Sequence, residues 1–142
     1  MRLGQSQKPV FGSLNPAIEY KPRQAAYAVI TDPKGRIATV KANSGYFLPG
    51  GGSLAGETAE QTIKREVKEE LGREVRIVSQ IGEAVQYFYA DGQHYRMEAI
   101  FFAAEFISEA MGVCEHELEW VELRGMEGEF YHQSHAWAVC QL

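Results

Sequence analysis

Two runs of apolar residues open the regular part of the chain. Residues 24–31 are almost entirely apolar, which predicts a buried strand. Asp32, Pro33 and Gly35 belong to a turn that has proline in its second position and glycine in its last. Residues 36–41 form the second run, so the pattern predicts that the two runs pair as a β-hairpin.

A glycine-rich loop and an amphipathic helix follow. The glycines at positions 50, 51, 52 and 56 interrupt regular structure and allow the backbone to approach other groups closely. Thr58 and Gln61 have the spacing of a capping box, and Gly72 stands where a helix commonly ends. Apolar residues recur every fourth position between them, at 59, 63, 67 and 71. The pattern therefore predicts a helix over residues 59–71.

The second half of the chain alternates like β-structure. The alternation predicts a long strand over residues 74–90 and a returning strand over residues 94–106. Asp91 and Gly92 indicate the turn between them. Residues 118–121 predict a short strand and residues 130–142 a terminal helix. With residues 1–21 as an N-terminal lead and residues 22–142 as one domain, this order of elements predicts an α+β or mixed α/β sandwich.

The charge balance narrows the classes of partner. The chain carries 14 Lys and Arg residues against 19 Asp and Glu residues, a net charge of −5, and 45% of its residues are apolar. Binding to a nucleic acid polymer requires clustered basic residues, which this acidic chain lacks. The two cysteines are too few for a disulfide framework, and neither a secretory signal nor a membrane-spanning run is visible. We therefore expect a reducing, cytoplasmic setting and no membrane partner.

Three glutamates of the predicted helix share one face. Glu66, Glu69 and Glu70 lie at positions i, i+3 and i+4, so their carboxylates project within about 100° of arc. Hard oxygen donors grouped in this way suit Mg²⁺ or Mn²⁺, whereas the plain alternative is a solvated acidic face. Glu66 and Glu70 border the apolar stripe, so their carboxylates are partly removed from water. Such a position is unfavourable unless a cation or an arginine pairs with the carboxylate, and it otherwise indicates a catalytic role.

The glycine loop and one further ion pair complete this candidate site. Gly51 and Gly52 can bring backbone groups close to a metal-bound phosphate. Arg65 is the natural partner of Glu57, and such a pair would fix the loop against the helix and orient the acidic cluster.

These residues together resemble the Nudix box, the signature of the MutT-like Nudix hydrolases. Its pattern is Gly-x5-Glu-x7-Arg-Glu-U-x-Glu-Glu-x-Gly-U, where U is apolar. Seven fixed positions match at the correct spacing: Gly51, Glu57, Arg65, Glu66, Glu69, Glu70 and Gly72. Val67 matches the first U, and Arg73 departs from the second. The resemblance implies a three-layer α/β/α fold for the region from Pro22 onward.

The resemblance also implies an activity and roles for the box residues. The family hydrolyses nucleoside diphosphates linked to a further group X, so a small nucleotide is the implied substrate. Glu66, Glu69 and Glu70 would coordinate Mg²⁺ together with the carbonyl of Gly51, and Glu57 and Arg65 would be structural partners. The general base stays open: Glu66 is one candidate, and the others are Glu115 and Glu117 in a later acid-rich loop, which are otherwise simply solvated.

The sequence indicates the substrate less clearly than it indicates the metal site. No proline follows Pro49, which disfavours the ADP-ribose branch of the family. Tyr89 has the position of a base-stacking tyrosine in the diadenosine polyphosphate branch, and Tyr87 lies two residues earlier. We take Phe47, Tyr87 and Tyr89 as candidate substrate contacts, with aromatic packing on a sheet as the alternative for both tyrosines.

Several further alternatives remain at this level. A nucleoside triphosphate and a dinucleoside polyphosphate are equally compatible as substrates, and the same fold also serves as a catalytically silent nucleotide-binding or sensor module. A homodimer is left open. His132 and His135 lack a third ligand nearby, so we expect an ordinary, partly exposed helix there and no metal site.

Overall fold

The computed structural model describes residues 8–42, 45–112 and 114–142. Its strands are β1 (Val10–Phe11), β2 (Lys21–Ile30), β3 (Ile37–Ala42), β4 (Gly45–Phe47), β5 (Gly50–Gly52), β6 (Val75–Ala90), β7 (Gln93–Phe106) and β8 (Leu118–Val121). Its α-helices are α1 (Ala59–Leu71) and α2 (Gln133–Val139), and a 3₁₀ turn spans Glu127–Glu129. Within the described residues, no helix is both long and apolar enough to cross a membrane.

The strands form two sheets. The larger has the order β1-β6-β7-β2-β5, in which β6 and β7 form the predicted antiparallel hairpin and β2 runs parallel to β7. The smaller has the order β4-β3-β8. The short strand β1 belongs to the N-terminal lead and pairs with the edge of β6.

The predicted hairpin of residues 24–31 and 36–41 is wrong in its pairing, although its turn is present. Asp32 closes the turn by accepting hydrogen bonds from the amides of Lys34 and Arg36. The strands then separate, and only an isolated bridge joins Thr31 to Ile37. The reason is that β2 is a central strand, which pairs along its whole length with β7 and along residues 25–27 with β5.

Strand β2 carries the core on both of its faces. Its odd-numbered residues from Ala25 to Val29 pack in the cluster under α2, and its even-numbered residues from Ala26 to Ile30 pack in the cluster under α1. The sheet therefore lies between two helices, which confirms the α/β/α sandwich and explains why this strand is apolar without alternation.

Helix α1 forms as its local signals predict. Thr58 and Gln61 make both hydrogen bonds of the capping box, and Gly72 ends the helix with a φ of 65°. Helix α2 is shorter than the predicted 130–142. The residues expected to form its first turn are extended instead. Phe130 forms a β-bridge with Tyr46, and the amide of Tyr131 donates to the Tyr46 carbonyl.

Candidate active site

Strand β5 brings its glycines directly against helix α1. Gly50 has a φ of +139°, and a Cβ there would lie 2.2 Å from the carbonyl oxygen of Ala26. A Cβ on Gly51 would lie 2.6 Å from Oε2 of Glu66. Only glycine permits this approach, so the backbone of β5 reaches the acidic face of the helix.

The pairing of β5 decides which of its backbone groups face the helix. The carbonyl of Pro49 accepts from the amide of Ala28, and the amide of Ser53 donates to the carbonyl of Gln24, both on β2. Because backbone groups point alternately to the two sides of a strand in an antiparallel ladder, those of Gly51 also point toward β2. Gly50 and Gly52 face outward: the Gly50 amide donates to Oε1 of Glu70 at 3.0 Å, and the Gly52 carbonyl accepts from Nη2 of Arg65 at 2.9 Å. The carbonyl of Gly50 therefore points away from β2, as its amide does.

Arg65 joins the loop to the helix through the ion pair that the sequence suggests. Its Nε donates to Oε2 of Glu57 at 2.6 Å, and its Nη2 donates to Oε1 of the same carboxylate at 3.0 Å. Glu57 also accepts from the amide of Leu54 and the hydroxyl of Thr62. These hydrogen bonds, with that of Arg65 the strongest, lower the pKa of Glu57 to about 2.

The same guanidinium reaches two carboxylates of the cluster. Nη1 of Arg65 donates to Glu66 at 2.7 Å and to Glu69 at 3.0 Å, so one cation is shared among three acids. Burial raises the pKa of Glu66, although Arg65 acts against that shift. The site therefore holds more negative charge than its own arginine neutralises.

Glu70 is the most strongly perturbed acid of the cluster. Burial first, and the neighbouring Glu66, Glu115 and Glu69 in addition, raise its pKa to about 8. The amide of Gly50 works in the opposite direction because it donates to the carboxylate. Without a cation, Glu70 is therefore largely protonated at neutral pH.

The donor set fits a hard divalent cation. Across residues 8–42, 45–112 and 114–142, no three His, Cys, Asp or Glu side chains are already gathered closely enough to hold an ion. The carboxylates of Glu66 and Glu69 instead rest on Arg65, and that of Glu70 rests on the Gly50 amide. Clustered carboxylates beside an outward backbone carbonyl are nonetheless the ligand chemistry that Mg²⁺ and Mn²⁺ prefer.

The later acid-rich loop lies against the end of helix α1. The amide of Glu115 donates to the Glu69 carbonyl at 3.2 Å, and the amide of His116 donates to the Glu70 carbonyl at 2.9 Å. Glu115 is close enough to contribute to the raised pKa of Glu70. Glu115 and Glu117 both line a neighbouring cavity of about 570 Å³ and not the cavity of the glycine strand.

A cavity of about 490 Å³ opens beside the carboxylates. Its lining includes Glu66, Glu70 and strand β5, together with Phe47, Tyr27 and Arg23. Sequence reasoning missed Arg23 and His116, which also line this cavity. The guanidinium of Arg23 lies 5.9 Å from the ring centre of Tyr95 and beside Gly52. No local pattern marks Arg23, because its place depends on the pairing of β2 with β5.

The family comparison agrees with this arrangement. The family model described as NUDIX domain matches residues 21–138. The chain belongs to the NUDIX family. The prediction of a Nudix hydrolase is thereby confirmed at the level of the family, for which pyrophosphate hydrolysis on nucleotide-like substrates is general.

Several proteins that this Nudix domain is similar to carry MutT names. A Mycobacterium tuberculosis protein with the provisional name mutator protein MutT4 is 34% identical over a 113-residue alignment that covers 72% of this chain. The match spans 41% of the length of that relative. The MutT Nudix hydrolase of Burkholderia pseudomallei superposes with a TM-score of 0.70 at 27% identity, covering 86% of this chain and 98% of the other. The MutT protein of Methanosarcina mazei gives 0.68 at 22% identity, covering 87% and 94%.

Two of the three candidate substrate contacts lie outside the cavity of the Nudix box. Phe47 lines that cavity and stacks on Tyr131 with ring centres 5.2 Å apart. Tyr87 instead packs edge-on against Tyr20, and Tyr89, which is 56% exposed, lies against His94. Both tyrosines line a separate cavity of about 330 Å³.

The sequence analysis expects the two histidines of the C-terminal segment to be partly exposed, and this expectation is wrong. Both are buried, and their ring centres lie 5.1 Å apart. Burial lowers the pKa of His132 to about 4 and lowers that of His135 as well. Nδ1 of His135 accepts a hydrogen bond from the amide of Leu48 at 3.1 Å.

Proposed function

We propose that this Nudix domain hydrolyses a pyrophosphate bond in a small nucleoside diphosphate derivative and requires Mg²⁺, with Mn²⁺ as an alternative. The observation that carries the proposal is the convergence of Glu66 and Glu70 with the glycine strand at one cavity, with Glu69 joined to Glu66 through Arg65. Within the described residues, this cavity contains both an acidic cluster that suits a metal and an arginine that suits a phosphate.

Glu66, Glu69 and Glu70 would hold the metal ion. The outward carbonyl of Gly50 is favoured over that of Gly51 as a backbone donor, because Gly51 faces β2 in the ladder. Bound Mg²⁺ supplies charge neutralisation of the pyrophosphate oxygens and lowers the pKa of a water that it holds.

Other residues of the chain orient the reacting groups. Arg65, fixed by Glu57, positions Glu66 and Glu69 on the helix. Arg23 extends into the cavity as a bidentate donor for phosphate oxygens. Phe47 offers an aromatic surface to the base or to the group X.

The attacking water needs a proton acceptor, and two acids are suitably placed. Glu66 lines the cavity, and Glu115 lies close enough to the cluster to contribute to the pKa shifts of Glu66 and Glu70. Glu115 and Glu117 both line the neighbouring cavity, but Glu117 is less favoured because it does not contribute to these pKa shifts. A bell-shaped pH profile that loses its acidic limb in either the Glu66→Gln or the Glu115→Gln variant would identify the base.

The proposal is tested by measuring release of phosphate and pyrophosphate from a panel of nucleotides with and without Mg²⁺. The relatives carry MutT names, so ordinary and oxidised nucleoside triphosphates come first, followed by dinucleoside polyphosphates, nucleotide sugars and ADP-ribose. Turnover that needs Mg²⁺ and is lost in Glu70→Gln supports the proposal. Nucleotide binding without any turnover on the panel would contradict it and indicate a sensor module.

A further inference from the structure

His135 lies behind the wall of the cavity, on helix α2. Its side chain is completely buried, and its Nδ1 accepts a hydrogen bond from the amide of Leu48, which is also completely buried. Since Nδ1 is the acceptor, the proton of the neutral ring lies on Nε2. Nε2 has no hydrogen-bond partner among the described residues, and the ring lies 4.2 Å from that of Tyr27, centre to centre.

Leu48 begins a three-residue segment that is held from three directions. The amide of Leu48 is held by α2 through His135, and the carbonyl of Pro49 accepts from the amide of Ala28 on β2 at 2.8 Å. The amide of Gly50 donates to Glu70 on α1 at 3.0 Å. Because proline has no N–H group, the amide of Leu48 is the nearest donor that can anchor the segment before Gly50.

Tyr27 transmits the same support by packing. An added Cβ on Gly50 would lie 2.7 Å from Cα and 2.9 Å from Cδ1 of Tyr27, so Gly50 rests directly on this residue. The ring of His135 packs against that of Tyr27, with ring centres 4.2 Å apart. His135 therefore supports Gly50 both through the backbone of the segment and through the ring beneath it.

We propose that His135 is a positioning residue, which holds the amide of Leu48 and thereby keeps the amide of Gly50 on Glu70. This inference rests on the proposed function for its effect on turnover. In the described part of the chain, the Gly50 amide is the one hydrogen-bond donor to the carboxylate of Glu70, so the position of this carboxylate depends on the segment. A displacement near 1 Å at a reacting centre can lower a rate about 100-fold.

Two polar variants separate this role from a general contribution to folding. In His135→Asn the side-chain oxygen is attached at Cγ, as Nδ1 is, and can still accept from Leu48. In His135→Gln the acceptor lies one bond farther along the chain. We expect Gln to lower kcat by about 10- to 100-fold with KM changed less than about 3-fold, and Asn to remain within about 3-fold of wild type.

Amide hydrogen exchange on the metal-free protein supplies a readout that does not depend on activity. The Gln variant should lose protection at Leu48 and Gly50 while core amides such as those of Val29 and Phe101 keep theirs, and the Asn variant should resemble wild type. Equal rates for the two variants, or full protection of Gly50 in the Gln variant, would overturn the proposal.

The wild-type protein provides an independent check if a variant does not fold. Ring ¹⁵N shifts of His135 should show an unprotonated Nδ1 and a protonated Nε2, and the reverse tautomer would overturn the proposal. If wild type hydrolyses nothing on the nucleotide panel, the proposed function fails, whereas the exchange and tautomer measurements still decide the role of His135.

Discussion

Replacing Glu70 with glutamine separates the charge of this side chain from its hydrogen bond. The side-chain oxygen of glutamine can still accept from the amide of Gly50, as Oε1 of Glu70 does at 3.0 Å. The charge, however, is lost. Any difference between wild type and Glu70→Gln therefore reports on the buried carboxylate itself.

The size of the effect follows from the shift of the Glu70 pKa from 4.5 to about 8 in the metal-free protein. Because folding raises this pKa, the contribution of Glu70 to stability is fully present below pH 4.5 and is lost as the pH rises through 8. Each pH unit between these values changes the free energy of unfolding by about 1.4 kcal/mol. From pH 6.5 to pH 8, wild type should therefore lose about 2 kcal/mol relative to Glu70→Gln.

The assay is urea unfolding in EDTA at several pH values, followed by the fluorescence of Trp120 and Trp137. Glu69→Gln is the matched control, because it removes a carboxylate that is 48% exposed from the same helix face. The control should follow the pH dependence of wild type. Adding Mg²⁺ should stabilise wild type and leave Glu70→Gln nearly unchanged. Parallel pH curves for wild type and Glu70→Gln would show that folding does not raise the pKa of Glu70.

Three further changes probe the site and its surroundings. Gly51→Ala places a Cβ 2.6 Å from Oε2 of Glu66, so kcat should fall about 100-fold in initial-rate measurements, and an unchanged kcat would show that the carboxylate moves freely. Phe47 lines the cavity of the Nudix box and Tyr89 lines a separate one, so Phe47→Ala should raise KM about 10-fold while Tyr89→Ala leaves KM within about 2-fold. The opposite order would indicate that Tyr89, and not Phe47, stacks on the base. Because the pKa of His132 is lowered to about 4, this residue should contribute a loss of about 3 kcal/mol of stability between pH 6.5 and pH 4; in urea unfolding His132→Gln should decline by about that much less than wild type, with the contribution of His135 remaining, and an unchanged decline would contradict this role.

The box helix is predictable because its signals are local. Thr58, Gln61 and Gly72 specify the two ends of α1 through hydrogen bonds within a few residues of sequence. The spacing of Glu57 and Arg65 likewise places them together, since both lie within one loop-to-helix unit. Such contacts require no knowledge of how distant strands pair.

Strand pairing limits the prediction elsewhere. Strand β3 follows β2 in sequence but pairs with β4 and β8, a choice made by distant partners. Along β6, the ladder shifts register between Ile77 and Ser79 and again between Gln80 and Gly82. These irregularities change which residues face the core, so alternation alone cannot show which face of the sheet Tyr87 occupies.

Residues contributed by distant elements are also invisible in the sequence. Arg23 and His135 approach the glycine strand from β2 and α2, and neither stands in a motif. Arg23 enters the cavity because β2 pairs with β5, and His135 reaches Leu48 because α2 packs beneath it. The domain boundary at residue 21, the cytoplasmic setting and a homodimer stay predictions.

The most direct test of the account is the Mg²⁺ dependence of nucleotide hydrolysis by wild type and Glu70→Gln, measured side by side on the same panel. We expect at least one nucleotide to be cleaved at a pyrophosphate bond, EDTA to stop the reaction, and Glu70→Gln to lower kcat by about 100-fold or more, because even the outer-shell partners of metal ligands contribute about 10- to 100-fold. Hydrolysis that persists in EDTA, or equal turnover by the two proteins, would contradict the account.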